Sequence, residues 1–391
     1  MKCRCLLDNK PTTKNLFLSF FRLGLTAFGG PAMVAQIREL STRRHQWLDE
    51  TDFKNGVALC QSIPGATAMQ TAAYVGLRVR GISGAFAAYL GFGLPAFILM
   101  FALSALYIRF NDLPRFISLF SGLQVIVIAI IIDAVYSFGR NIATNYKSLI
   151  VALLSALAFW EGISPFIVIV GAGIAGMAFS GVSVSKTSFD SNIRTTPSTA
   201  KQVTIIFFSF LLCFAALYFL NNKLFTLAAV MLKIDIFAFG GGFASLPLML
   251  HEVVINRGWL DSKTFMDGIA LGQVTPGPIV ITATFVGYLV YGLSGAVVAT
   301  IAIFAPSFFM LVIVAPFFDR LKNSVYLLRA IDGVLASFVG LLLYVCFKFA
   351  TTVPWDIARI LLGLAALAAL IRKVDILYIV LAGAVISVFI L

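Results

Sequence analysis

Histidine is almost missing, with two in 391 residues, and charged side chains make up only 12% of the chain, about half the share of an average soluble protein. His45 and His251 fall at loop edges, with no visible pairing to the serines of Gly81-Ile82-Ser83-Gly84 and its copy at 292–295, which lie between apolar segments. The five cysteines (Cys3, Cys5, Cys60, Cys213, Cys346) are scattered, so neither a disulfide framework nor a zinc or haem spacing exists. Cys3 and Cys5 form a lone C-x-C on a basic tail. Neither metal nor cofactor is expected. No G-x-x-x-x-G-K-[ST] occurs, so this chain does not hydrolyse ATP through a P-loop. Long polar segments are lacking too: the two longest, 38–53 and 183–201, are too short to fold alone, which excludes a soluble domain. The polarity alternation of a membrane barrel is absent. Basic residues outnumber acidic ones by 12 but flank apolar segments, a sign of topology and not of nucleic acid.

What is present is apolar sequence, 60% of the residues, in runs such as Gly81 to Ile108 that exceed the roughly 20 residues needed to cross a bilayer. An all-α polytopic transmembrane bundle follows, with a lipid bilayer as solvent. Apolar segments lie at about 15–37, 54–77, 81–108, 116–138, 148–160, 163–182, 202–220, 224–250, 264–288, 293–318, 325–349, 357–370 and 374–391, suggesting about 13 spans.

The chain is internally duplicated. Ala27-Phe28-Gly29-Gly30 recurs as Ala238-Phe239-Gly240-Gly241, Trp47-Leu48-Asp49 as Trp259-Leu260-Asp261, Pro64-Gly65 as Pro276-Gly277, Val75-Gly76 as Val286-Gly287, and Pro95 as Pro306, always 211 or 212 residues on. The expected organisation is a first repeat at 15–182, a polar linker at 183–201, a connecting span at 202–223 and a second repeat at 224–391. With thirteen spans, 18 Lys/Arg fall on the side of the N-terminus and 9 on the other. The N-terminus is therefore expected in the cytoplasm and the C-terminus outside, as a multi-pass protein of the cell (inner) membrane. Seven spans separate equivalent points, and an odd number inverts the second repeat relative to the first.

The repeated motifs fall inside apolar sequence. Phe28, Gly29, Gly30 and Pro31, with Phe239, Gly240, Gly241 and Gly242, should break one helix of each repeat; Gln61, Pro64, Gly65 and Thr67, with Gln273, Thr275, Pro276 and Gly277, should break the next. Irregular backbone at membrane depth is tolerated where it is buried in protein or lines a cavity. A helix restarting at Pro64-Gly65 or Pro276-Gly277 would present N–H groups and a partial positive charge, suited to an anion. The plainer reading is that Gly and Pro only allow close packing, but matching breaks in both halves favour a substrate site. Arg22 and Lys233 match at an offset of 211 inside apolar sequence and are candidate anion-facing cations; snorkelling is the alternative. Asp235, two residues from Lys233, would not face it on a helix. The G-x-G-x-x-G at 171–176 follows no strand and reads as a packing face.

Phe28-Gly29-Gly30-Pro31, Trp47-Leu48, Gln61-x-x-Pro64-Gly65, Gly76-x-Arg78-x-x-Gly81-x-x-Gly84-Ala85 and Leu94-Pro95, with a second copy opening at Phe239-Gly240-Gly241-Gly242, resemble the chromate ion transporter family in its two-domain form. The resemblance implies secondary export of chromate, a divalent oxyanion, with sulfate competing. Departures are Pro64-Gly65-Ala66-Thr67 where the family more often has P-G-P, and Met33, Val34, Ala35 and Gln36 where a histidine is frequent. Uptake of sulfate or a related oxyanion, and a non-transporting scaffold subunit, are the alternatives. No enzymatic activity is expected, and homodimerisation is left open by the sequence.

Overall fold

Apolar sequence that must satisfy every backbone N–H and C=O away from water folds into helix. The computed structural model describes residues 11–110, 112–142, 145–179, 197–318 and 324–391, and no strand occurs among them. Cys3, Cys5 and most of the polar linker lie outside the described residues.

The first repeat begins with α1 (Thr13–Gly24), α2 (Gly30–Arg38, continued by a π-helical turn Glu39–Arg44), α3 (Glu50–Ser62) and α4 (Thr67–Phe110). The Trp-Leu-Asp motif has a local purpose: the Asp49 carboxylate caps α3 by accepting from the Asp52 N–H at 2.7 Å. Asp261 does the same for α11 (Ser262–Val274) through the Thr264 N–H.

The chain between these caps folds back on itself. Phe20 of α1 stacks on Trp47, which follows the π-turn, so α1 and α2 form a hairpin with its tip at the Phe28-Gly29 break. Asp52 of α3 pairs with Arg78 of α4 at 2.6 Å, and Gly56 lies against the Tyr74 ring, so α3 and residues 67–80 form a second hairpin with its tip at Pro64-Gly65. At Arg80-Gly81 the backbone leaves the helical region, Gly81 taking φ +67°, and α4 doubles back with Gly76 pressed on the carbonyl of Gly84. A straight helix would hold those glycines about 12 Å apart.

The second repeat reproduces this. Its α9 (Asn222–Phe237) is bridged to the π-turn Leu250–Asn256 after α10 (Ser245–Met249) by a 2.7 Å Lys233–Glu252 ion pair. Its α11 packs Gly268 on Phe285 of α12 (Thr282–Val314), which reverses at Tyr291-Gly292.

The apolar segments at 15–37, 54–77, 224–250 and 264–288 thus form hairpins, where the expectation of about 13 spans drew each as a single segment. Hydropathy alone cannot separate half-helices that return from half-helices that continue. Among the described residues, α4, α5 (Pro114–Ile142), α8 (Pro197–Leu220), α12 and α13 (Val325–Ala350) are the five helices long and apolar enough to cross a membrane; α6 (Tyr146–Trp160), α7 (Pro165–Phe179), α14 (Ile357–Ile371) and α15 (Ile376–Ile390) are shorter apolar helices. The expectation of an odd number of crossings is unchanged by the hairpins, since between equivalent points lie the long arm of α4, α5, α8 and the α6–α7 pair, and that pair would contribute zero or two.

The repeats interleave. Gly340 of α13 sits on the backbone of Ala152 in α6, and Gly333 on that of Ala172 and Gly176 in α7. In return, Gly363 and Gly383 of α14 and α15 meet Val125 and Ile126 of α5. The G-x-G-x-x-G at 171–176 is a packing face, as its small residues imply.

Candidate functional site

The four hairpin tips meet in two reciprocal junctions. The Gly65 N–H donates to the Ala238 carbonyl at 2.9 Å, so the second tip of repeat one is tied to the first tip of repeat two. The Gly277 N–H donates to the Ala27 carbonyl at 2.8 Å, tying the converse pair. Both glycines hold positive φ (+116° and +111°), a region that a side chain strongly disfavours. The Gly240–Gly242 loop lies between the junctions: Gly241 faces the Thr67 hydroxyl and Gly242 faces Ile279 and Val280.

Two helix starts therefore converge on one glycine loop. The Gly65 and Ala66 N–H groups, expected to be open to a ligand, are engaged by Ala238 and by Ser307 Oγ (3.0 Å). The reason is that a tip which meets another tip finds a carbonyl there. The open donors lie further along: among the described residues the N–H groups of Thr67, Ala68, Met69, Ile279 and Val280 make no hydrogen bond. Such groups, with the positive end of the helix dipole, form the part of the site able to receive an anion.

The remaining predicted residues divide. Phe28, Gly29, Phe239 and Gly240 are partly exposed at the tips, Pro64 and Pro276 are buried in them, and Thr67 is half-buried at the start of α4. Gly30 and Pro31 open α2. Thr275 is buried with its hydroxyl on the Gly272 carbonyl, Gln61 is exposed, and Gln273 holds Nε2 buried without a partner. Arg22 and Lys233 are not at the tips. Arg22 lines a cavity of about 440 Å³ with Asn15, Ser19, His45 and Trp47. A cavity of about 300 Å³ occupies the equivalent place in repeat two, lined by Lys223, Asn256, Arg257 and Trp259. Lys233 is ion-paired to buried Glu252 and lies 3.7 Å from the centre of the Phe166 ring.

Sequence reasoning missed three residues around the first junction. Asp235, 1% exposed, accepts at Oδ2 from both the N–H (2.8 Å) and the hydroxyl (2.7 Å) of Ser307. Gln70, fully buried, donates to the Pro64 carbonyl at 2.7 Å. The repeat offset was the available signal: 211 residues away stand Gly24, Ala96 and Ile281, so all three polar groups belong to one junction only.

The comparisons with known proteins agree with the duplication. The model of a family described as chromate transporter matches twice, at residues 14–177 and 225–388. An uncharacterized transporter of Methanocaldococcus jannaschii is 43% identical over 384 residues, covering 98% of this chain and 96% of the relative. Chromate transport proteins of Cupriavidus metallidurans and Pseudomonas aeruginosa are each 31% identical, over 92% and 90% of this chain and 88% and 85% of their own lengths. No solved structure matches the chain significantly.

Proposed function

This chain belongs to the chromate transporter family, and from that premise we propose that it is a secondary active transporter exporting chromate, with sulfate competing for the same site. The observation that carries the reading is the pair of reciprocal tip bonds, Gly65 to Ala238 and Gly277 to Ala27, which gather two helix starts with open N–H groups around Gly240–Gly242. A tetrahedral dianion gains from two such ends at once, whereas nitrate or chloride brings one charge. The two cavities that carry Arg22 and Lys223 with Arg257 at equivalent positions of inverted repeats are the mouths, one toward each side of the membrane.

Redrawing the spans with hairpins sharpens the orientation. Arg109, Arg115, Lys223, Arg257, Lys263, Lys348 and Arg359 fall on the far side, Arg22 and Lys233 lie within hairpins, and the remaining twenty of 29 basic residues fall on the side of the N-terminus. The N-terminus is cytoplasmic and the C-terminus extracytoplasmic, in the inner membrane.

Labelled chromate and sulfate in everted vesicles and in proteoliposomes of purified protein test this. Saturable uptake into everted vesicles, inhibited by sulfate and not by equimolar nitrate, is the expected result. No movement of either dianion would leave a scaffold, and equal inhibition by nitrate would remove the paired helix ends from recognition. Reporter domains at both termini check the orientation, and finding both on one side would refute the odd parity.

A further inference from the structure

Asp235 has no use in the site as described. It lies in the last turn of α9, three residues before the tip, and the Ala238 N–H folds back onto its carbonyl at 3.2 Å. Ser307 places both of its donors on Oδ2, and Oδ1 is buried with no hydrogen-bond partner. Gln70 stands beside the same serine, its Nε2 on the Pro64 carbonyl with the Ser307 carbonyl at 3.4 Å, and its Oε1 is also buried without a partner. Both neighbours of that amide nitrogen are carbonyls, so the amide cannot be flipped to give its oxygen a donor. Two acceptors are therefore left unsatisfied in one cluster, one of them on a carboxyl group.

Nothing neutralises that carboxyl group among the described residues. Lys233, on the same helix, is turned to Glu252. Of the elements packed on α9, α12 carries no charged residue, α10 has no titratable one, and the titratable groups of α8 among the described side chains, Cys213 and Tyr218, are exposed. From α4, Tyr89 faces Asp235, but its hydroxyl is bound to the Phe304 carbonyl at 2.6 Å. A buried carboxylate with no counter-charge is costly unless a cation or proton accompanies it.

We propose that Asp235 is the proton-carrying group of the transport cycle. An O–H bond forms at Oδ1 with a proton taken from water on one side of the membrane and breaks to water on the other. In the protonated state the cluster gains the donor it lacks. Ser307 Oγ links the group to the Ala66 N–H at the start of α4, so loss of the proton sets a negative charge beside the helix end that receives the anion. Proton and dianion therefore favour each other's binding and move together. One proton with one dianion still carries a net single negative charge, and an interior-negative potential drives that charge outward. The other junction, with Gly24, Ala96 and Ile281 at these positions, has no such group, so the two junctions together take up one proton.

The inference rests on the anion site proposed above, and the test separates the two. Purified protein in weakly buffered detergent solution is titrated with sodium sulfate and with choline sulfate, while binding is read by calorimetry and proton exchange by a pH indicator. Expected are close to one proton taken up per sulfate, affinity about tenfold or more weaker at high pH than at low pH, within the usual range of coupling, and no difference between the two salts. In Asp235→Asn the proton uptake disappears and the affinity becomes flat with pH. An infrared carbonyl band of a protonated carboxyl that changes on sulfate addition should be present in the wild type and absent from the variant. Sulfate binding by the wild type without proton uptake overturns the assignment and leaves the anion site standing, whether or not the variant folds. Binding that requires sodium overturns it in favour of a metal cation. Failure of the wild type to bind sulfate at any pH overturns the anion site and this assignment with it.

Discussion

The two tip junctions are made by the same backbone bond and supported by opposite chemistry. Gly65 rests on a serine hydroxyl and a buried amide, and that serine on a buried carboxyl group; Gly277 rests on Ala96, with Gly24 and Ile281 where the other two polar groups would be. At Gly24 a methyl group would lie 2.5 Å from the Phe92 carbonyl, so the apolar junction has closed the space that Asp235 uses in its counterpart. Duplication thus conserved the geometry of the tips, which depends on main chain, and left the side chains behind them free to diverge. One junction is apolar behind its backbone bond, and the other holds an ionisable group.

The largest effect that separates them should come from valine at the tip glycines. Gly65→Val forces a β-branched residue into the left-handed region and drives its Cβ into Ser307 and Gln70, for a combined cost of about 2–6 kcal/mol. Initial-rate uptake in everted vesicles, at matched expression, should fall well over tenfold. Gly277→Val carries the same backbone strain, but its nearest obstacle is the Ala96 methyl group at 2.8 Å, so a smaller loss is expected. Equal losses would make the junctions mechanically equivalent.

Next in size is Ser307→Ala, which strips a donor from Asp235 and the acceptor from the Ala66 N–H, about 1–3 kcal/mol for a buried group left unpaired. The midpoint of thermal unfolding in detergent should drop by several degrees, while the reciprocal Ala96→Ser moves it far less. A similar drop in both variants would erase the proposed asymmetry.

Lys233→Gln and Arg22→Gln compare the matched cations. The first leaves buried Glu252 with Arg257 at 3.5 Å as its remaining basic partner and should destabilise the protein by about 1–3 kcal/mol, the half-exposed lysine reducing the figure for a fully buried pair. The second removes a charge at a mouth and should raise the apparent KM with little change in thermal stability. Both should weaken uptake more than Arg43→Gln, a loop residue. Wild-type uptake in both would return them to snorkelling. Smallest of all is Gln61→Ala, expected near wild type because the side chain is exposed; Gln273→Ala changes a group already lacking a partner and should cost under about 1 kcal/mol.

Repeats, helix content and the breaks were legible because they are written locally, in offsets, apolar runs and Gly-Pro pairs. The hairpins were not. Asp52 and Arg78 lie 26 residues apart at opposite ends of an apolar stretch, and a pair of that kind reports a fold-back only once the stretch is known to be broken in its middle. The fate of the Gly65 N–H was hidden for a related reason, since its partner, Ala238, stands in the other repeat and contributes only a carbonyl, which every residue has. Asp235 could have been weighted more heavily: an ionisable residue at membrane depth whose repeat partner is glycine signals a role that the duplication alone does not require. Ser307 and Gln70 carry no such mark until the fold places them beside it.

The interleaving of the halves sets a timetable for synthesis. The helix that covers α6 and α7 is α13, and the last residue of α7, Phe179, leaves the ribosome 146 residues before Val325 opens α13. At about 5–20 residues per second that delay is on the order of ten seconds. Throughout it the backbone faces that Gly333 and Gly340 will press against meet lipid or a membrane chaperone. The packing of α6 and α7 is therefore completed only late in synthesis, whereas the hairpins of α1 to α4 have their partners within the first half.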